Sequence, residues 1–163
     1  MADAPRVTIR PATADDTEAL GRLAGSLVHL HHSFEPQRFI VFEGVEEGYG
    51  RFLASTLKDP LVVVRVAHTM ELGVVGYVYA RLEKRDWNRL LDDHGKIHDI
   101  VVDDRVRRRG VARLLVAEAI EGLKKLGAKR LVAETAAKNV QAQRLFASFG
   151  FGPTLIEQFK SID

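Results

Sequence analysis

Cysteine is absent from this sequence, and proline and tryptophan are scarce, with five and one in 163 residues. Without cysteine there is no disulfide framework, no thiol nucleophile and no zinc–thiolate site. No unbroken apolar run reaches the roughly 18 residues of a membrane span, so no membrane association is expected. The opening, MADAPRVTIRPATADD, carries acid early and has no apolar core, which reads against a secretory signal. With the missing cysteines, that fits a cytoplasmic chain. Strong charge of one sign is missing too: Lys plus Arg is 24, Asp plus Glu is 22, and the net charge is +2. Nucleic-acid binders carry basic patches; the one candidate, Arg105, Arg107, Arg108, Arg109 and Arg113, is short and broken by a glycine. Repeats and low-complexity linkers are also absent, so residues 1–163 are read as a single domain.

What is present is a foldable composition, 46% hydrophobic and 28% charged. A chain of this length buries roughly two-thirds of the surface it would expose unfolded. Val7 to Arg10 reads as a strand stopped at Pro11. Thr13 is placed to cap a helix whose first turn holds Asp15 and Asp16, where carboxylates favour the dipole. Leu20, Leu23, Leu27 and Leu30 carry that helix to about His31. A second helix spans Val45 to Lys58, before Asp59-Pro60. Leu61 to Val66 and Val74 to Leu82 read as an antiparallel hairpin, with Tyr77, Tyr79 and Arg81 on one face. Trp87 to Gly95 reads as a loop and Lys96 to Val102 as a strand. Gly110 to Leu126 is the clearest helix, closed by Gly127. A strand at Arg130 to Glu134, a helix at Val140 to Phe149 and a last strand from Phe151 to about Ser161 complete the order β-α-α-β-β-β-α-β-α-β. That order predicts an α/β fold: a mixed central sheet with helices on both faces.

The stretch Lys96 to Leu115 carries the chemistry. An apolar strand runs through acidic turn residues into RRRGVA, then into an amphipathic helix. The first turn of a helix presents amides without intrahelical partners and a positive dipole end. Gly110 and Ala112 keep side-chain bulk away from those amides, and the arginines attract an anion. This is a phosphate-binding helix N-terminus. Neither the P-loop pattern nor the G-x-G-x-x-G dinucleotide pattern is present. Taken alone, the cluster reads equally well as a solvated basic face.

Two motifs favour the first reading. Arg107-x-x-Gly110-x-Ala112 between strand and helix resembles the acyl-CoA pyrophosphate loop, Q/R-x-x-G-x-G/A, of the GCN5-related N-acetyltransferases (GNAT). Asn139-Val-Gln-Ala142-Gln-Arg-Leu145-Phe146-Ala-Ser-Phe-Gly150-Phe151 resembles that family's N-x-x-A-x-x-L-Y-x-x-x-G-F segment. The opening IRPATADD and the order of elements also match, so the resemblance covers nearly the whole chain.

The resemblance implies a sheet that splays after its fourth strand, and acetyl-CoA as the acyl donor, with no metal. Ile100, Val101 and Val102 would hold the pantetheine arm through their main chain. The amides of Arg107, Arg108, Arg109, Gly110, Val111 and Ala112, with Arg113, would hold the pyrophosphate. Asn139 would lie on the pantetheine and adenosine side. Phe146 stands where the family commonly has a tyrosine that protonates the departing thiolate. Losing that proton is tolerable: a thiol of pKa about 8.5 leaves as thiolate at pH 7 for roughly 2 kcal/mol. Water, Ser148 or a hydroxyl elsewhere would serve instead. An alkylammonium acceptor of pKa about 10.4 costs roughly 4.6 kcal/mol to deprotonate, so a base matters more. His98 and Asp99 occupy the positions for it. On a regular strand they face opposite sides, and an imidazole titrates nearer neutrality than a carboxylate. Asp99 is the alternative base if a bulge turns it inward.

The acceptor pocket would draw on the first two helices, their connection and the central strands. His32, Glu35, Tyr77 and Tyr79 are the substrate-binding candidates, with His29, His31, Phe34, Phe39 and Trp87 nearby. Glu35 among aromatics suits a cationic amine. His29, His32 and Glu35 lack a metal-binding pattern. The function implied is direct transfer of acetyl to a primary amine of a small molecule or peptide, since neither cysteine nor a Ser-His-Asp motif suggests an acyl-enzyme. Two alternatives stand beside it: a non-catalytic acyl-CoA sensor, and a nucleic-acid-binding module using Arg105 to Arg113. Nucleic acid is not the expected partner. A homodimer is a family expectation only.

Overall fold

The computed structural model describes residues 6–162. Residues 1–5, the start of the segment read against a secretory signal, lie outside them, as does residue 163. Strand β1 is Thr8–Pro11, followed by helices α1 (Thr17–Phe34) and α2 (Val45–Thr56). Strands β2 (Val62–Thr69), β3 (Gly73–Glu83) and β4 (His94–Val102) form a meander. Helix α3 (Val111–Lys125), strand β5 (Leu131–Ala133) and helix α4 (Val140–Ala147) complete the elements.

The sheet has the order β1-β2-β3-β4-β5. The first four strands pair antiparallel, and β5 joins β4 in parallel. Two cores flank it. On one face α1 and α2 bury Leu20, Leu23 and Leu53 against Val64, Val66, Tyr77 and Val101. On the other, α3 buries Leu115, Ala119 and Leu123 against Val63, Val78 and Ile97, and Phe146 of α4 joins them. The mixed sheet with helices on both faces is therefore as the strand and helix pattern predicts.

Most element ends shift by one to three residues from that pattern, and three differences bear on the site or the sheet. Helix α1 runs on to Phe34, because Ser33 bonds back to the Leu30 carbonyl (2.6 Å) and Glu35 closes the helix on the His31 carbonyl. Strand β4 begins at His94, because the Gly95 amide donates to the Arg130 carbonyl, 2.9 Å away. The expected last strand from Phe151 to Ser161 does not form: among the described residues this segment joins no sheet. Its apolar residues are mostly outside, Leu155 and Ile156 being 69% and 78% exposed, so no buried face fixes a register.

Candidate active site

The parallel pairing of β5 with β4 covers only Gly95, Lys96 and Ile97. Beyond Ile97 the edge of β4 has no strand beside it among the described residues, while its other edge stays paired to β3 as far as Val102. The sheet is thus open along Ile100–Val102. The ladder continues through the Asp103 amide, which donates to the Val75 carbonyl at 2.8 Å. Bonds alternate along an antiparallel pair, so the amides and carbonyls of Ile100 and Val102 turn away from β3, toward the opening. The Arg107 Nε–H reaches the Val102 carbonyl there, at 3.4 Å.

The chain leaves β4 through a tight turn at Asp104–Val106. Asp103 fixes it. Its carboxylate accepts from the Arg105 amide (3.0 Å), the Arg105 side chain (2.7 and 2.9 Å) and Arg22 of α1 (3.2 Å). The Arg105 bonds, above all, hold this carboxyl far below the usual carboxylate range. Arg22 also donates to the Val74 carbonyl at 3.1 Å, so the turn is tied to a helix and a strand at once.

After the turn the backbone is contorted. Arg108 and Gly110 have φ of 62° and 76°, with Arg109 between them. Alternating left-handed residues curl successive amides into a concave nest that suits an anion. Gly110 takes the position at little cost; a side chain there would be strained. No side chain caps helix α3, and the amides of Arg108 through Arg113 donate to no protein acceptor among the described residues. The basic cluster is partly spent: Arg105 pairs with Asp103, and Arg107 pairs with Asp104 at 2.7 Å. Arg113 donates to Ser148 (2.6 Å) and lies over the Phe149 ring. Arg108 and Arg109 are exposed. Arg105, Arg107 and Arg113 thus have partners within the protein.

At the other end of the opening, β4 carries a bulge. Tyr79 faces Asp99 and Ala80 faces Ile97, leaving His98 as the extra residue. A bulge breaks the two-residue alternation. Ile97 lies in the α3 core, whereas His98 and Asp99 both lie on the Tyr77–Tyr79 face. This corrects the expectation of opposite faces for His98 and Asp99. The His98 ring stacks on Tyr79, with centroids 4.9 Å apart, and its Nε2 is 2.9 Å from Glu83 Oε1. Asp99 accepts from the Tyr49 hydroxyl (3.2 Å) and the Tyr77 hydroxyl (3.0 Å). It is 7% exposed, and burial pushes its carboxyl above the usual range against the pull of the two hydroxyls. Burial likewise drives the Tyr49 and Tyr77 hydroxyls upward, with the Asp99 charge adding to it.

Phe52 of α2 meets Tyr79 edge-on at 5.9 Å and is 46% exposed, which extends the aromatic surface beside His98 to solvent. Tyr49, Phe52 and Glu83 were invisible as site residues in the sequence. The first two lie on the apolar stripe of the second helix, and Glu83 falls just beyond the strand read from Val74 to Leu82, which the structure extends to Glu83. The only available signal for Glu83 was its sharing of a face with Tyr79 and Arg81.

The remaining candidates are placed less centrally. His32 bonds to the Phe39 carbonyl at 2.7 Å, and Glu35 forms the end of α1. Among the described residues neither makes a hydrogen bond to Tyr77 or Tyr79. His31 is the member of that segment whose charge acts on Asp99. His29 faces Glu46 at 3.6 Å. Trp87 is 73% exposed beneath Arg85. Asn139 caps α4, its Oδ1 accepting from the Ala142 amide at 3.1 Å. Phe146 is 6% exposed, packed edge-on against Phe151 at 5.3 Å, so its surface is used by the core. The Ser148 hydroxyl donates its proton to the Leu145 carbonyl and accepts from Arg113.

Comparison with known proteins bears on the fold and the family. No curated protein matches the chain. Among solved structures, a tetramutant of the BH1408 protein from Bacillus halodurans is similar with a TM-score of 0.81 at 18% identity, covering 95% of this chain and 99% of that one. Glucosamine-6-phosphate N-acetyltransferase from Arabidopsis thaliana has a TM-score of 0.68 at 18% identity, with coverages of 97% and 99%. Aminoglycoside N-acetyltransferase AAC(6')-Iy in complex with CoA has a TM-score of 0.75 at 18% identity, with coverages of 99% and 97%. At such identities the likeness is one of fold. The model of the acetyltransferase (GNAT) family matches residues 27–151, which include the open strand, the nest and α4. With the match covering most of its length, the chain belongs to the acetyltransferase (GNAT) family.

Proposed function

We propose that this protein is an acetyl-CoA-dependent N-acetyltransferase that moves the acetyl group directly to a primary amine of a small molecule or peptide. The observation that carries the reading is the row of unpartnered amides from Arg108 to Arg113 beside the opening in the sheet. Those amides, with Arg108 and Arg109, would hold the diphosphate. The free edge of Ile100 and Val102 would take the pantetheine arm, and the thioester would then lie toward His98. Membership of the family supports acetyl transfer in general. Among the described residues no helix is long and apolar enough to cross a membrane; we place the reaction in the cytoplasm.

His98 serves as the base. It is partly exposed, whereas Asp99 is buried with both oxygens occupied. Asp99 instead positions Tyr49 and Tyr77 behind the site. The acceptor's ammonium first gives one proton to water, and its nitrogen gives a second to His98 as it forms the amide bond to the acetyl carbon. The C–S bond breaks, and sulfur departs with the electron pair. Phe146 has no proton to give it and Ser148 is engaged, so water supplies the proton after departure. A thiolate leaving group costs only about 2 kcal/mol at pH 7.

The test is thiol release from acetyl-CoA across a panel of primary amines. The reading expects release that depends on the amine, and a pH–rate profile that shifts or disappears in His98→Ala. Tight acetyl-CoA binding with no release for any amine would identify an acyl-CoA sensor instead. Preference for duplex DNA over acetyl-CoA at moderate salt would overturn both.

A further inference from the structure

We propose that Glu83, at the end of β3, is a positioning residue that holds the His98 ring by its Nε2–H and leaves Nδ1 as the ring's proton acceptor. The consequence for turnover rests on the acyl-transfer reading; the pairing itself does not. Tyr79, Arg81 and Glu83 alternate along β3 and so share one face. The bulge delivers His98 onto that face as an extra residue, where Tyr79 stacks under the ring at an interplanar angle of 20°. Stacking fixes the plane of the ring but not which edge leads. Glu83 fixes the edge, with Oε1 2.9 Å from Nε2.

A carboxylate only accepts, so the ring nitrogen facing it carries the hydrogen. The other nitrogen then has the lone pair, and among the described residues it makes no hydrogen bond. Glu83 is itself braced: its second oxygen faces Arg81 Nε at 3.9 Å, and Arg81 reaches Asp59 at 3.1 Å. The chain Asp59–Arg81–Glu83–His98 thus runs from the loop after α2 to the bulge. The other groups facing this corner are Asp99 beside His98, and Tyr49 and Phe52 from α2. Asp99 is turned away into its two tyrosines, which leaves Glu83 as the carboxylate that reads the ring. In the proposed reaction, Nδ1 takes the proton from the acceptor nitrogen, and the imidazolium then donates from Nε2 to Glu83. The positive charge forms beside an existing negative one.

The experiment uses the full chain with 15N-labelled histidine and no added ligand. An Nε2 proton bonded to a carboxylate gives a low-field resonance that exchanges slowly with water. We expect it for His98 in the wild type, weakened in Glu83→Gln and lost in Glu83→Ala. Its absence from the wild type, or its survival in Glu83→Ala, overturns the assignment. A kinetic cycle adds the second readout. Glu83→Ala should lower kcat for amine-dependent thiol release about tenfold or more, changing the amine KM less than about threefold, and should lower nothing further in a His98→Ala background. An equal loss in both backgrounds would mean that Glu83 acts without His98, contrary to the proposal. If Glu83→Ala fails to fold, Glu83→Gln carries the same comparisons. A wild type that shows the resonance but releases no thiol with any amine retains the pairing and refutes the transferase reading.

Discussion

Burial and hydrogen bonding act in opposite directions on Asp99, and burial wins, raising its carboxyl pKa. An acid whose folded pKa lies above its unfolded one is penalised as pH rises, from the ordinary carboxylate range through the raised value. Removing the charge should therefore help most at high pH. In thermal unfolding from pH 4 to 8, the midpoint of Asp99→Asn minus that of the wild type is expected to increase with pH; a flat or falling difference would contradict the burial argument. Asp103 behaves oppositely. Its carboxyl is held down by Arg105 and Arg22, so it contributes stability above the ordinary range that is lost as pH falls toward its folded value. Asp103→Asn should cost about 1–3 kcal/mol at pH 7 and progressively less in acid, read by denaturant unfolding at several pH values. Gly110 matters for its φ of 76°. Gly110→Val should cost about 1–2 kcal/mol of stability from backbone strain and raise the KM for acetyl-CoA, with the amine KM little changed. Residue types at the nest were legible from Arg107-x-x-Gly110-x-Ala112. The environment of Asp99 was not, because Tyr49 lies 50 residues away and no local pattern brings it there.

Helices α1 and α2 approach each other closely at Gly21 and Gly50. A Cβ on Gly21 would fall 2.2 Å from the Glu46 carbonyl, so the two backbones meet almost without side chains between them. That approach sets Tyr49 over Asp99. Gly21→Ala should push α2 outward, destabilise the fold by about 1–3 kcal/mol and weaken the Tyr49–Asp99 bond. Unfolding and the fluorescence of the tyrosines would show it; wild-type stability would mean that the helices part freely. Helix periodicity found α1, α2 and α3 because each has an apolar stripe facing one core. A bulge enters the sequence reading only as the condition that would turn Asp99 inward; HDIVV has no two-residue alternation whose break would mark it, and only pairing with β3 reveals His98 as the extra residue. The segment after Phe151 was read as a strand from its apolar residues, but without a partner edge those residues stay at the surface.

The whole molecule is a sheet held shut at one end and open at the other. Parallel pairing of β5 ends at Ile97, the nest lies just beyond Val102, and the His98–Glu83 pair lies between. In the proposed function, acetyl-CoA would lie along that line, with its diphosphate on the amides and its acyl end toward the imidazole. The general architecture was readable from the order of strands and helices, since each obeys its own period. Which acceptor enters was not, because the surfaces that would meet it come from α2, β3 and β4 together. The proposed function depends on the grip of the amides on a diphosphate. Its most direct measurement is a calorimetric titration of the protein with acetyl-CoA and, separately, with S-acetylpantetheine, which has the same thioester without the diphosphate and the 3'-phosphoadenosine beyond it. Acetyl-CoA should bind about a hundredfold or more tighter, by a margin that narrows as salt rises. Equal affinities for the two would contradict the account.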